Sequence, residues 1–196
     1  MRRLSEKLTG YVIKTGAVSE ELYAVYQYGF QIGLEMLSCF VVCLSIAIYL
    51  HMTPEFIVFT GIFMLLRIYA GGVHMDSFGG CFICSVAVQT ISLFISSKYQ
   101  FTVGNAWNII LISTILIWKF APVESINREL DSDEKKHCKK VTIKILIGVF
   151  VFAGGCTFGG INDMVSLVAL TVLVILISQY VGVVKYKIET SKNKWG

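Results

Sequence analysis

Stretches without charge recur along the chain, and their lengths are those of helices that cross a membrane. The first runs from about Gly29 to Leu50 and contains Gln31 and Glu35; the second is short, Phe56 to Leu66, bounded by Glu55 and Arg67. The third extends from near Cys81 to near Ser97 and the fourth from Tyr99 to Trp118. The fifth covers about Lys144 to Gly160 and the sixth Met164 to Val184. A spanning helix needs about 20 apolar residues, with about 17 as a lower limit. The second run therefore crosses only if flanking residues tilt, snorkel or join it.

Ahead of these runs, Leu4, Leu8, Tyr11 and Val12 share one helical face, opposite Arg3, Lys7 and Lys14. Such a basic amphipathic segment either lies on an anionic membrane surface or packs on the bundle. Gly16 and Ser19 interrupt it, and Ser19-Glu20-Glu21 reads as an N-cap followed by first-turn acids. The pattern predicts an all-α, polytopic membrane protein of a single domain. Residues 1–28 form cytoplasmic or interfacial helices, 29–184 a bundle of about six spans, and 185–196 a cytoplasmic tail. No short apolar run ending in a small-residue cleavage site opens the chain, so no cleavable signal peptide is expected.

Composition sharpens this reading. Of 196 residues, 55% are hydrophobic and 15% charged, with a mean hydropathy of +0.69. Soluble domains carry roughly 45–50% apolar and about 25% charged residues. A disordered chain and a soluble enzyme are both excluded. The net charge of +4 is small, but its distribution is not even. Arg2, Arg3, Lys7 and Lys14 precede the first span, and Lys119, Arg128, Lys135, Lys136, Lys139 and Lys140 separate the fourth from the fifth. Lys185, Lys187, Lys192 and Lys194 follow the sixth, whereas the connections of the other side hold only Lys98. By the positive-inside rule, both termini, the 67–80 connection and the 119–140 loop are cytoplasmic.

The 67–80 connection and the residue after it hold the candidate chemistry. His74, Cys81 and Asp76 are the residue types of a thiol nucleophile, its base and an orienting carboxylate, with Ser77 beside them. Along a continuous helix His74 and Cys81 would stand about 10.5 Å apart, and proton transfer needs about 2.6–3.2 Å. A fold-back is required, and Gly71-Gly72 and Gly79-Gly80 offer the dihedral freedom for it on either side of His74. Cys81 also stands at the expected N-terminus of the third span, where helix-end donors favour a thiolate. Asp76 either orients His74 or is a solvated loop carboxylate. Glu35 and Gln31 lie one turn apart near the first span, and Glu35 either serves the site or reaches water.

Other readings of these residues are weaker. Cys81-Phe-Ile-Cys84 invites a zinc or redox assignment, but a tetrahedral site needs four ligands and only His74 is near. Cys84 is expected to pack within the span and stands second as nucleophile. Cys39 and Cys43, at i and i+4, are expected to pack, and His137-Cys138 to lie in a solvated loop. No metal, cofactor or nucleic-acid motif is visible. A small peptide or solute transporter, or a scaffold binding an amphipathic peptide, remains the alternative to an enzyme.

The stretch Arg67-x-Tyr69-Ala70-Gly71-Gly72-x-His74, with Cys81 seven residues on, resembles the accessory gene regulator protein B (AgrB) family. Tyr26-Gln-Tyr28-Gly29, Ala121-Pro122-Val123 and Asn127-Arg-Glu-Leu130 extend the similarity over essentially the whole chain. Arg128-Glu129 departs from a pattern of a basic residue followed by proline. The resemblance implies a cysteine endopeptidase of the bacterial cytoplasmic membrane that cuts a quorum-sensing propeptide near its C-terminal end. Cys81 is then the nucleophile and His74 its base, with Arg67 and Gly72 at family positions associated with activity. The resulting acyl-enzyme would lead to a cyclic, thiolactone-type peptide. An amphipathic propeptide with an acidic tail, membrane lipids and a second copy of the chain are the implied partners.

Overall fold

A computed structural model describes residues 2–16, 18–73, 78–123 and 131–193. Seven α-helices and no strand occur among them. α1 (Arg2–Lys14) leads through a short 3-10 turn, Glu20–Leu22, into α2 (Tyr23–Tyr49). α3 (Thr53–Ala70), α4 (Phe78–Lys98), α5 (Val103–Phe120), α6 (Ser132–Phe158) and α7 (Asn162–Asn193) follow. Six of these, α2 to α7, are long and apolar enough to cross a membrane.

The second span is the one that the charge pattern left short. Flanking residues join it at both ends. Pro54 sits in the first turn of α3, where its missing N–H costs nothing, and Arg67 is carried inside its last turn. Eighteen residues result, enough to cross. α2 and α6 likewise begin earlier than their apolar runs. α6 opens at Ser132, with Asp131 N–H donating to Glu134 Oε2 at 3.3 Å. The expected 119–140 loop is therefore much shorter. His137 and Cys138 lie in helix, not in a solvated loop: Cys138 is buried, and the His137 ring stands 6.5 Å from that of Tyr69.

α7 is the axis of the bundle. It packs on α3, α4, α5 and α6, most extensively on α5. The core joins Leu66 and Ala70 of α3, Ile110 and Ile117 of α5, Val149 and Ala153 of α6, and Val168, Ala169 and Val172 of α7. Fully buried alanines at 106, 153 and 169 allow the close helix approach on which membrane bundles depend. A second cluster, Cys43, Ala47, Phe56 and Leu93, ties α2 to α3 and α4.

α1 packs on α2, and Gln27 Nε2 donates to Glu6 Oε1 at 3.4 Å across that contact. The buried side of α1 is not its apolar face: Ser5 and Thr9 are fully buried, whereas Leu4 and Tyr11 are exposed. Small side chains let α1 approach α2 closely, leaving Leu4 and Tyr11 on the exposed side.

Candidate active site

The arrangement begins where α3 ends. Helix termini leave carbonyls without intrahelical partners, and here the Ala70 carbonyl accepts two donors. Val123 N–H and Gln179 Nε2 each reach it at 3.0 Å. Beyond Ala70 the backbone takes values suited to glycine, with φ of 79° at Gly71 and 151° at Gly72. A Cβ on Gly71 would lie 2.5 Å from the Val123 carbonyl oxygen, and one on Gly72 would overlap Arg67 Nη1. The Ala121–Pro122 peptide, which precedes Val123, is cis.

Arg67 lies half-buried one turn before this exit. Its Nη1 donates to Ser178 Oγ of α7 at 2.6 Å. This contact anchors the last turn of α3 on α7. Val73 N–H then donates to the Ser178 carbonyl at 3.1 Å, so the chain leaves the exit pressed on α7.

His74, Asp76 and Ser77, the expected base and its neighbours, lie outside the described residues. The thiol does not. Cys81 is half-buried in the first turn of α4, a helix that opens at Phe78. The positive end of the helix dipole favours negative charge near such a turn. The Arg67 guanidinium stands within electrostatic range of Cys81 and then of Cys84, and Cys39 of α2 within range of Cys81. α2, α3 and α4 thus converge on this thiol.

Two sequence expectations change here. Gly79 and Gly80 are helical residues of α4 rather than a second hinge, so the backbone freedom near the site rests on Gly71 and Gly72. Cys84 is exposed rather than packed. Glu35 does not simply reach water: Oε1 accepts from Gln31 Nε2 at 3.4 Å, and Oε2 is buried with no hydrogen-bond partner among the described residues. Glu35 precedes Cys39 by one turn and so shares its face of α2. All six cysteines are free thiols.

Sequence reading did not single out Ser178, Gln179 or Gly182. Ser178-Gln179 is a polar pair deep in the most apolar run of the chain, and its cost in such surroundings was the available signal. At the other end of the bundle, Leu50, Glu55, Phe94, Lys98 and Asp163 line a separate cavity of about 430 Å³.

The family model for accessory gene regulator B matches residues 5–185. A protein of Clostridium perfringens described as AgrB-like is 25% identical over 154 residues, covering 74% of this chain and 72% of its own length. Another so described, from Halalkalibacterium halodurans, is 29% identical over 152 residues, covering 77% and 75%. A second C. perfringens relative is 25% identical over 130 residues, covering 62% and 61%. No solved structure matches the chain.

Proposed function

This chain belongs to the accessory gene regulator B family, a multi-pass membrane family in the context of quorum-sensing propeptide processing, and on that basis we propose that it is a cysteine endopeptidase acting through Cys81. The observation that carries this reading is the position of Cys81. It stands in the first turn of a membrane helix, half-buried, within range of a guanidinium held on a neighbouring helix.

The chemistry assigned to these residues is acyl transfer. Cys81 Sγ, its proton passed to His74, attacks the scissile carbonyl of the propeptide. Backbone N–H groups at the start of α4 stabilise the oxyanion. The C–N bond breaks, His74 returns the proton to the leaving amine, and the C-terminal fragment departs. The thioester left on Cys81 is then attacked by a thiol of the peptide itself. That exchange closes a thiolactone and regenerates the Cys81 thiol. Arg67 and Gly72 shape the approach to the site, with Asp76, Ser77 and Glu35 as further polar neighbours.

Charge bias supports a cytoplasmic position for both termini and this site. The basic start of α6, with Lys135, Lys136, Lys139 and Lys140, favours an acidic propeptide tail. Dimerisation, implied by the resemblance, belongs to the same proposal. Cys81→Ala and His74→Ala chains are expected to insert and to bind a candidate propeptide encoded beside the gene without cleaving it. Mass spectrometry of the wild-type protein should show that peptide as a thioester on Cys81. Continued processing by Cys81→Ala would sink the assignment and favour a transporter or scaffold.

A further inference from the structure

We propose that Ser178, Gln179 and Gly182 of α7 are positioning residues for this reaction: they hold the end of α3 at Ala70 and the backbone of Gly72 and Val73, the two residues that immediately precede the assigned base. The inference rests on the peptidase reading above and adds a device to it, on an element outside the motif that carries the chemistry.

The physical need is clear from the chain. Gly71 and Gly72 follow the end of α3 with φ of 79° and 151°. Consecutive glycines have the largest backbone freedom to lose, so holding them in one geometry costs more than at any other residue type. A base that must come within hydrogen-bond reach of a thiol cannot follow a loose pair of glycines. Misplacement by about 1 Å can cost about a hundredfold in rate. Some rigid element has to supply the constraint.

α7 supplies it at four points within five residues. Ser178 acts twice, its Oγ accepting from Arg67 Nη1 at 2.6 Å and its carbonyl from Val73 N–H at 3.1 Å. Gln179, fully buried, donates from Nε2 to the Ala70 carbonyl at 3.0 Å. Gly182 lies one turn beyond Ser178, on the same helical face. A Cβ there would stand 2.8 Å from Gly72 C and 2.9 Å from Val73 N. Gly72 answers in kind, since its own Cβ would lie 2.9 Å from Ser178 Oγ. Two backbones therefore meet face to face, with glycine on both sides of the contact.

Capping of α3 accounts for the bond of Gln179 to the Ala70 carbonyl, but not for the contacts of Ser178 and Gly182 with Gly72 and Val73 beyond the helix end. Helix-to-helix glue would join α7 to the body of α3, as the apolar core already does through Leu66 and Ala70. The polar contacts gather instead at the last turn of α3 and at the extended residues after it. Gln179 also carries a cost that packing alone would have removed, because its Oε1 is buried without a partner among the described residues.

The test uses the full chain in phosphatidylethanolamine–phosphatidylglycerol vesicles and iodoacetamide as the probe. Mass spectrometry follows the alkylation rate at Cys81 as pH is varied. A thiol paired with a base keeps its thiolate, and so its reactivity, at lower pH than a solitary one. Ser178→Ala and Gly182→Ala are expected to move the Cys81 profile to that of His74→Ala, about tenfold slower near pH 6. Ser178→Thr, which keeps the hydroxyl, should restore it, and Thr171→Ala, elsewhere on α7, should match the parent. Ser178→Ala adds no bulk and keeps the carbonyl that holds Val73, so it removes only the Oγ contact with Arg67 beside Gly72, and it carries the test if Gly182→Ala fails to insert. If His74→Ala alters the profile while Ser178→Ala and Gly182→Ala leave it unchanged, the α7 device is overturned and the peptidase reading stands. If His74→Ala itself leaves the profile unchanged, the pairing of His74 with Cys81 is overturned, and the proposed device has no base to position.

Discussion

Arg67 Nη1 donates to Ser178 Oγ at 2.6 Å, joining the last turn of α3 to α7 across 111 positions of sequence. A guanidinium engaged in this way is anchored within the fold. Its charge still acts on the start of α4, where Cys81 stands.

Arg67→Lys separates anchoring from substrate binding. Lysine keeps the charge but lacks the planar fork of fixed donors. Processing of a candidate propeptide is expected to fall about 10- to 100-fold, while its binding to the membrane-embedded protein is retained. A loss of binding as large as the loss of processing, measured by fluorescence anisotropy of labelled propeptide, would instead mark Arg67 as a substrate-carboxylate ligand.

Substitutions at the glycines should sort by position rather than by residue type. Gly71→Ala and Gly72→Ala each force a side chain into a left-handed conformation and into contact with Val123 or Arg67. Each is expected to cost about 1–3 kcal/mol. Gly79→Ala, in the first turn of α4 with open space around it, should be neutral or stabilising by about 0.5–1 kcal/mol. Thermal unfolding in detergent gives the ranking, and equal losses at all three positions would contradict it.

Orientation can be checked with reporters that are active only after export. Fusions within the connections at residues 51–52, 99–102 and 159–161 should be active, and fusions after residue 196 inactive. The inverse pattern would move the Cys81 end of the bundle to the outer face and contradict the charge argument.

At the N-terminus, Thr9 is fully buried against α2, with its hydroxyl donating to the Ser5 carbonyl at 2.8 Å. Thr9→Leu should overpack this contact and destabilise by about 1–3 kcal/mol. Leu4→Ala, on the free face, should stay within about 0.5 kcal/mol of the parent. Denaturation of the detergent-solubilised protein distinguishes the two, and a larger loss at Leu4 would mean that α1 packs by its apolar face.

The charge-free runs were legible because membrane burial demands long apolar helices, and composition alone reveals those. Composition underestimates the helix around Phe56 to Leu66 for the same reason. Hydropathy stops at Glu55 and Arg67, while the backbone continues through both: Glu55 stands in the first turn of α3, where an acid suits the helix dipole, and Arg67 in its last turn, where the guanidinium reaches Ser178 Oγ. His137-Cys138 misled in the same way: charged surroundings read as loop, whereas α6 extends past the apolar run with one side of its first turns buried at Cys138.

What the sequence alone determined is local in origin. Charge-free apolar runs set the six spans, charge asymmetry set an expected orientation, and the residue types around Arg67, His74 and Cys81 set the candidate chemistry. Tertiary structure alone decided what Arg67 holds, which glycines bend and which are helical, and that Ser178, Gln179 and Gly182 meet the end of α3. The contacts between α3 and α7 join residues more than a hundred positions apart. No local pattern encodes them, because they depend on which face α7 turns to α3 once both are packed.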